Sequence, residues 1–363
     1  MNADLRPLSR TQAYTIPSAL RQPTPIYFWS CVGAVLLGLE LWFTARWIMS
    51  DQFVSVPSGP DLPPGWMRAA LDIGQVAMPT AWLFSFCWFV VRPAFRERRI
   101  TTDGLILIGC TLASLWDSLS DVGQYWFTYN SYLVNRGSIL GVLPITLSPH
   151  AAGANEGWPL LFINTLYGNF IAVAVLMCAL LRFVQSKWPR IGTFRLVILC
   201  FVVGAIADFV VEGVILLPLG FWTYAGGHWS INSQTYYKFP LHEAVCAGSV
   251  FACLTCLRFF VDDKGQTFAE RGIEEISASP LKKSIMRATA ITGATTLIFI
   301  VMYHLPQGFL ALHSVEWPDD VKNRSYFTNR ICGVQVNLAC PGPHTPIARP
   351  GAPRPDFSHH FSQ

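Results

Sequence analysis

Residues 194–217 of the chain read FRLVILCFVVGAIADFVVEGVILL. A run of about 20 predominantly apolar residues can cross the hydrocarbon core of a bilayer as one helix. Only Arg195, near the start, and the acids Asp208 and Glu212 interrupt the apolar character of this run. Because side chains four residues apart share one face of an α-helix, the run predicts a membrane helix that carries two neighbouring carboxyl groups.

The rest of the chain also has the composition of a membrane protein. Its mean hydropathy is +0.37, and 13% of its 363 residues are charged, against about 25% in a typical soluble domain. We predict an all-α fold, a polytopic transmembrane bundle of about seven helices without a separate soluble domain. The predicted helices are Tyr27–Met49, Asp72–Val91, Leu105–Trp126, Pro159–Phe183, Phe194–Leu217, Leu241–Val261 and Ile285–Leu305.

Basic residues alternate between the two ends of these helices. They are frequent before the first helix and after the second, fourth and sixth, and scarce in the other connections. The positive-inside rule therefore predicts a cytoplasmic N-terminus and an exported C-terminus. We expect residues 1–26 to form a disordered cytoplasmic tail, 27–305 the transmembrane helical domain, and 306–363 an exported, largely irregular tail.

This orientation places acidic side chains from several helices at a similar depth in the outer half of the membrane. The acids concerned are Glu40, Asp117, Asp121, Asp208, Glu212 and Glu243. Asp117 and Asp121 are also four residues apart, so they too are predicted to share one helical face. A charged side chain near the bilayer centre costs about 2.5–3.5 kcal/mol on insertion scales, and acids placed there usually serve a function. We therefore predict a single buried acidic site.

The sequence leaves alternative roles open for these acids. Asp121 and Glu243 could lie at the membrane interface, where water solvates a carboxylate. Asp208 and Glu212 have valine and isoleucine neighbours, so their alternative role is hydrogen bonding between helices. If the acids are buried together, desolvation and repulsion keep one carboxyl protonated beside an ionised one. Such a pair supplies both a general acid and a general base.

The connections after the third and fifth predicted helices are rich in aromatic residues. They could form an interfacial aromatic belt, or a lid over an apolar pocket whose ring faces stabilise a cationic intermediate. In the second interpretation Asn130 orients a substrate oxygen, although it could equally cap a turn. The predicted substrate-binding residues are Trp126, Tyr129, Asn130, Trp222, Tyr224 and His242.

Two further patterns bear on packing. Ala244, Gly248 and Ala252 follow one another at a spacing of four, which predicts close contact of the sixth helix with a neighbour. Cys332 and Cys340 lie in the predicted exported tail. A disulfide is chemically permitted there, and the sequence leaves open whether it forms.

Three blocks of sequence together resemble the spirocyclase AveC-like proteins of actinobacteria. They are WDSLSDVGQYWFTYNS at 116–131, ADFVVEGVILLPLGFWTYAGG at 207–227 and YYKFPLHEA at 236–244. The resemblance extends from Tyr27 to Leu305 and implies a multi-pass protein of the bacterial plasma membrane. The member that gives the family its name closes a dihydroxy-ketone into a spiroketal during avermectin biosynthesis. On this resemblance the candidate catalytic residues are the acids of the blocks, Asp117, Asp121, Asp208, Glu212 and Glu243.

These observations predict an acid–base cyclase, dehydratase or isomerase that acts on an apolar polyketide, terpenoid or lipid. Spiroketal closure needs an acid to expel water, a group to stabilise the oxocarbenium ion, and a base for the attacking hydroxyl. We expect no metal and no cofactor. The expected partners are the substrate and the lipid bilayer, without nucleic acid, and the oligomeric state stays open.

A proton-coupled transporter or a lipid-binding membrane protein is the alternative, because proton relays also use intramembrane acids. Against a transporter, the acids cluster towards one side of the membrane, and the sequence has no matching pair of interrupted helices.

Overall fold

The computed structural model describes residues 24–151, 153–333, 335–347, 349 and 353. Most of the predicted N-terminal tail and the end of the predicted exported tail lie outside the described residues. The α-helices are α1 (Thr24–Ile48), α2 (Gly65–Phe86), α3 (Arg92–Glu97), α4 (Thr102–Ala113), α5 (Leu160–Gly168), α6 (Phe170–Lys187), α7 (Thr193–Asp208), α8 (Leu241–Phe259), α9 (Pro280–Phe299), α10 (Leu305–Ala311), α11 (Asp319–Lys322) and α12 (Ser325–Thr328). The strands are β1 (Thr128–Tyr129), β2 (Trp222–Thr223), β3 (Ser230–Ile231) and β4 (Phe239–Pro240).

Within the described residues, six helical segments are long and apolar enough to cross a membrane. They are Pro25–Ile48, Gly65–Glu97, Leu160–Lys187, Thr193–Leu216, Leu241–Phe259 and Pro280–Ala311. Three of them combine α-helix with a π-helical turn, at Cys87–Val91, Phe209–Leu216 and Ile300–His304. The chain is therefore a mostly helical protein with the features of a multi-pass membrane protein. Each of the six overlaps one of the predicted helices.

The remaining predicted helix, Leu105–Trp126, differs from the prediction. Its α-helical part ends at Ala113, and a 3₁₀ helix continues from Ser114 to Asp121. A 3₁₀ helix has three residues per turn instead of 3.6, so side chains four residues apart point in different directions. Asp117 and Asp121 consequently do not share a helical face, and the prediction that they do was wrong.

Glycines allow the long helices to approach one another closely. A Cβ atom added to Gly33 in α1 would lie 1.8 Å from the backbone oxygen of Thr289 in α9. Gly248 in α8 faces α7 in the same way, since an added Cβ would lie 2.9 Å from the backbone oxygen of Phe201. The small-residue pattern of the sixth predicted helix is thus confirmed as a packing contact at Gly248.

The described residues of three connections, 122–151 with 153–159, 217–240, and 312–333 with 335–347, form a layer over one end of the bundle, which we call the cap. Strand β1 pairs antiparallel with β2, so that Tyr129 lies opposite Trp222, and β3 pairs with β4. A disulfide joins Cys332 to Cys340 in the third connection. Most of the cap aromatics are buried, including Tyr125, Trp126, Phe127, Tyr129, Trp158, Phe221, Trp222, Tyr224, Phe239, Trp317, Tyr326 and Phe327. They belong to the hydrophobic core, whereas Trp229 is 74% exposed.

Candidate active site

A cavity of about 150 Å³ lies beneath the cap. Its walls come from α5 and α6 on one side, α7 with its π-helical continuation and α8 on the other, and the end of α9. Five cap aromatics line it, namely Trp126, Phe127, Tyr129, Trp222 and Tyr224. Four carboxyl groups also line it, from Asp117, Asp208, Glu212 and Glu243. The cavity is therefore an apolar chamber with acids from three separate segments of the chain.

Asp117 is separate from the cluster that the other three acids form, and two tyrosine hydroxyl groups donate hydrogen bonds to its carboxylate. Tyr129 donates a hydrogen bond to its Oδ2, and Tyr167 donates to its Oδ1 at 2.6 Å. The 3₁₀ turn aims this carboxyl towards the chamber, while β1 brings Tyr129 back over it. The ring of His304 lies next to them, with Nδ1 3.8 Å from Asp117 Oδ1 and 3.3 Å from the hydroxyl of Ser120. Both oxygens of Asp117 are thus oriented by protein donors.

The other three acids, Asp208, Glu212 and Glu243, form a cluster that we call the acidic trio. One carboxylate oxygen from each lies within 4.8 Å of the others. All three side chains are buried, with exposures of 9%, 8% and 0%. In the described part of the chain, no lysine or arginine lines the cavity to balance their charge. Close acids without a nearby cation cannot all be ionised at once.

Neutral donors surround the trio. The indole N–H of Trp222 donates to Glu212 Oε1 at 3.0 Å. Tyr303 donates to Glu243 Oε1 at 2.5 Å, and Gln307 donates to its other oxygen. The phenol of Tyr224 lies within hydrogen-bonding reach of both glutamates. Asp208 Oδ2, by contrast, is buried without a hydrogen-bond partner among the described residues.

Two π-helical turns place these groups. Glu212 lies in the turn Phe209–Leu216, and Tyr303 lies in the turn Ile300–His304. A π-helix widens the backbone ring from i→i+4 to i→i+5 hydrogen bonding and is frequently found at functional sites. Asp208 directly precedes the first turn, and both Asp208 and Glu212 line the cavity. The predicted neighbouring pair is therefore brought together, although on an irregular helix.

The structure brings most of the predicted site residues to one chamber, and it leaves three outside the lining. The residues outside are Asp121, Asn130 and His242. Glu40, the other acid expected in the same buried site, lies in a separate pocket beside Phe43 and Trp116, so the prediction that it joins the site was wrong. Asp121 Oδ1 accepts the backbone N–H of Trp126 at 2.9 Å. Asn130 donates to the backbone oxygen of Gly220 at 2.8 Å and accepts the backbone N–H of Tyr132. His242 packs its ring against Trp126. These contacts support the five cap aromatics that line the cavity, which we call the roof, on the side that faces away from the cavity.

Several residues of the site were not selected from the sequence. Tyr167, Tyr303 and Gln307 are neutral, so a search for intramembrane charges does not select them. The segment YHLPQ at 303–307 could have indicated the last two of these, because it places polar side chains together at the end of an apolar run. Glu156 was not selected either, because it lies outside the predicted membrane helices, in the connection that ends at Pro159. It is 1% exposed and is buried beside Ser138 and the backbone of Tyr129.

Burial, and secondarily the charge of Asp117, raise the pKa of Glu156 to about 8 from an ordinary value of 4.5. Between these two pH values the folded protein holds a proton that the unfolded chain has lost. The contribution to stability is therefore complete below pH 4.5 and is lost as the pH rises through 8.

We expect Glu156→Gln to remove this pH dependence, because the amide does not titrate. Thermal unfolding in detergent across the same pH range should show a smaller loss of stability for the variant than for the wild type. Glu274→Gln, which changes an exposed glutamate, is the matched control and should follow the wild type. If the unfolding temperature fell equally steeply with pH in Glu156→Gln and in the wild type, the raised pKa of Glu156 would be contradicted.

The acidic trio also has a spacing that could hold a metal ion. Carboxylate oxygens suit Mg²⁺, Ca²⁺ and Mn²⁺, and the three oxygens within 4.8 Å could converge on one such ion. The residues that would bind it are Asp208, Glu212 and Glu243.

A family model described as spirocyclase AveC-like matches residues 97–327 of the chain. The match begins at the end of α3 and ends within α12, so the predicted range Tyr27–Leu305 was too long at its start and too short at its end. All four carboxyls of the cavity lie inside it. Comparisons with curated proteins and with solved structures gave no match. Since the matched region covers more than half of the 363 residues, the chain belongs to the spirocyclase AveC-like family.

Proposed function

We propose that this protein is a membrane-embedded acid–base enzyme, a cyclase/dehydratase or isomerase that acts on an apolar polyketide, terpenoid or lipid. Membership of the spirocyclase AveC-like family suggests a cyclase-like function in secondary metabolism. One structural observation supports the proposal independently of the family match. A single apolar chamber presents Asp117 on one wall and the acidic trio on another, under a roof of aromatic rings.

The two groups of acids have different surroundings and can take different roles. Two phenol donors stabilise a carboxylate, so we assign Asp117 the role of the ionised base. The trio shares protons, because three close carboxyls without a basic neighbour cannot all carry charge. We assign the trio the role of proton donor, with Glu212 first because its Oε1 accepts the indole N–H of Trp222, one of the cap aromatics that line the cavity.

This assignment accounts for the steps of a spiroketal closure. Glu212 protonates the hydroxyl of a hemiketal, the C–O bond breaks, and water leaves. The resulting oxocarbenium ion lies beside the aromatic rings that line the chamber, among them Trp222 and Tyr224, whose π-electrons stabilise a cation. The second substrate hydroxyl attacks the cationic carbon, and Asp117 removes its proton. The same groups could dehydrate an alcohol or isomerise an alkene.

Proton transfer also agrees with the donors around the trio. The N–H and O–H groups of Trp222, Tyr303 and Gln307 already point at three of its oxygens. A metal ion would compete with these donors, whereas a shared proton is compatible with them. We therefore propose that the enzyme needs neither metal nor cofactor.

We place the cap and the chamber on the exported side of a bacterial plasma membrane. The distribution of basic residues supports this orientation. The disulfide between Cys332 and Cys340 supports it too, since disulfides persist in oxidising compartments and are rare in the cytoplasm.

The test compares lipid extracts from strains that lack the protein, carry the wild type, or carry Glu212→Gln at equal membrane abundance. We expect one compound to accumulate in both defective strains, and its dehydrated or isomeric product to appear only with the wild type. Identical total extracts, with one lipid redistributed between cells and medium, would reject the enzyme and favour a transporter.

A further inference from the structure

Helices α6 and α7 contact each other at one end and separate towards the other. At the end joined by residues 188–192, a buried cluster closes the space between them. It contains Leu181 and Val184 of α6, Leu196 and Cys200 of α7, and Ala252 of α8. At the cap end, Phe162 and Phe221 stack with ring centroids 4.7 Å apart. The chamber lies between these two closures.

Some side chains in this interval belong to the cavity wall and to the outer surface at once. Val211 lines the cavity and is 50% exposed, and its neighbours Ala207 and Val173 line it while half-buried. All three lie in segments long enough to span a membrane. These three side chains mark an edge of the chamber between α6 and α7, and in a membrane-spanning bundle this edge would face lipid.

The roof, in contrast, is closed. Trp126, Tyr129 and Trp222 line the cavity from the cap side with exposures of only 2%, 3% and 6%. A molecule that arrived from the aqueous side would have to displace these rings and the β1–β2 pairing. The lateral gap requires no such rearrangement.

The size of the chamber limits what it can enclose. A dry, apolar cavity of roughly 150 Å³ accommodates a molecule of about the size of benzene. A polyketide, terpenoid or lipid is much larger, so only its reacting portion fits beside the carboxyls. The rest must extend through the opening.

We propose that the substrate is a long amphiphile that reaches the chamber from the bilayer, through the gap bordered by Val173, Ala207 and Val211. Its oxygenated end meets the carboxyls, and its chain stays among the lipids. This inference rests on the proposed function for the identity of the reacting groups, but its test requires no turnover.

The experiment uses the full-length protein in vesicles that contain a long-chain alcohol with an alkyl diazirine beside its hydroxyl group. On irradiation the diazirine loses N₂, and the chain becomes attached to nearby carboxyls as an ester. Mass spectrometry then locates the label. We expect labelling at Asp208 or Glu212, and we expect a short, water-soluble diazirine alcohol to label them far less.

Val211→Trp should fill the gap and lower labelling by the long-chain probe about tenfold. Val214→Trp is the matched control, because Val214 is 56% exposed on the same turn but does not line the cavity. It should label like the wild type. If Val211→Trp does not fold, Ala207→Leu narrows the same gap by a smaller change and should lower labelling in the same direction.

Three results would overturn the proposal. They are no labelling of the carboxyls by the long-chain probe, labelling that Val211→Trp and Ala207→Leu leave unchanged, and stronger labelling by the water-soluble probe. Normal labelling of a protein that shows no turnover in any assay would instead reject the proposed function and leave the lateral opening intact.

Discussion

Glu212→Gln should lower turnover by roughly a thousandfold while the protein remains folded in the membrane, as expected for the loss of a general acid. The amide has nearly the same volume as the carboxyl, and its oxygen can still accept the indole N–H of Trp222. It cannot donate an acidic proton to a leaving hydroxyl. The measurement uses the compound that accumulates in strains without the protein. Mass spectrometry records how fast wild type and variant convert it.

Glu40→Gln is the matched control for this prediction. Glu40 is also a buried membrane acid, with 5% exposure, but it lies in a separate pocket beside Phe43 and Trp116. Its replacement should change turnover by less than about threefold, since it does not contact the substrate. A Glu212→Gln protein with wild-type turnover would remove Glu212 from the mechanism.

Asp117→Asn should lower turnover by about a hundredfold, because it removes the group that we propose as the base for the attacking hydroxyl. Asparagine has one acceptor oxygen for the two phenols of Tyr129 and Tyr167, so one buried donor loses its partner. An unpaired buried donor costs about 1–3 kcal/mol, and some loss of stability should accompany the loss of activity.

Asp121→Asn is the control that separates the loss of activity from the loss of stability. Its side-chain oxygen can still accept the backbone N–H of Trp126, and Asp121 does not line the cavity. We expect nearly normal turnover per folded molecule. Turnover and thermal unfolding should be measured on the same preparations. If Asp121→Asn lost more activity than Asp117→Asn at equal folded amounts, the assignment of the base would be reversed.

The sequence was sufficient to predict the helical membrane fold and to select four of the acids that line the chamber. Long apolar runs indicate membrane helices, because inside a bilayer few other structures satisfy the hydrogen bonds of the backbone. Acids stand out in them because each is costly to bury. Asp208, Glu212 and Glu243 were found by this route, on helices that the structure confirms.

The local geometry could not be predicted in the same way. A 3₁₀ turn at 114–121 and a π-helical turn at 209–216 differ from an α-helix by about one residue in hydrogen-bond spacing. Tertiary contacts select these turns, and local propensity does not encode them. The pairing of Asp117 with Tyr129 depends on β1 folding back over the chamber. For the same reason, the sequence could not decide between an interfacial belt and a lid for the cap aromatics.

We propose, above all, that carboxyls in one chamber carry out acid–base chemistry on an apolar molecule. The most direct measurement incubates the compound that accumulates in the defective strains with purified protein in lipid nanodiscs, with a metal chelator and without any cofactor. We predict that the wild type converts the compound into a dehydrated or isomeric product and that Glu212→Gln does not. Undiminished conversion by Glu212→Gln, or a wild-type reaction that the chelator stops, would contradict the account.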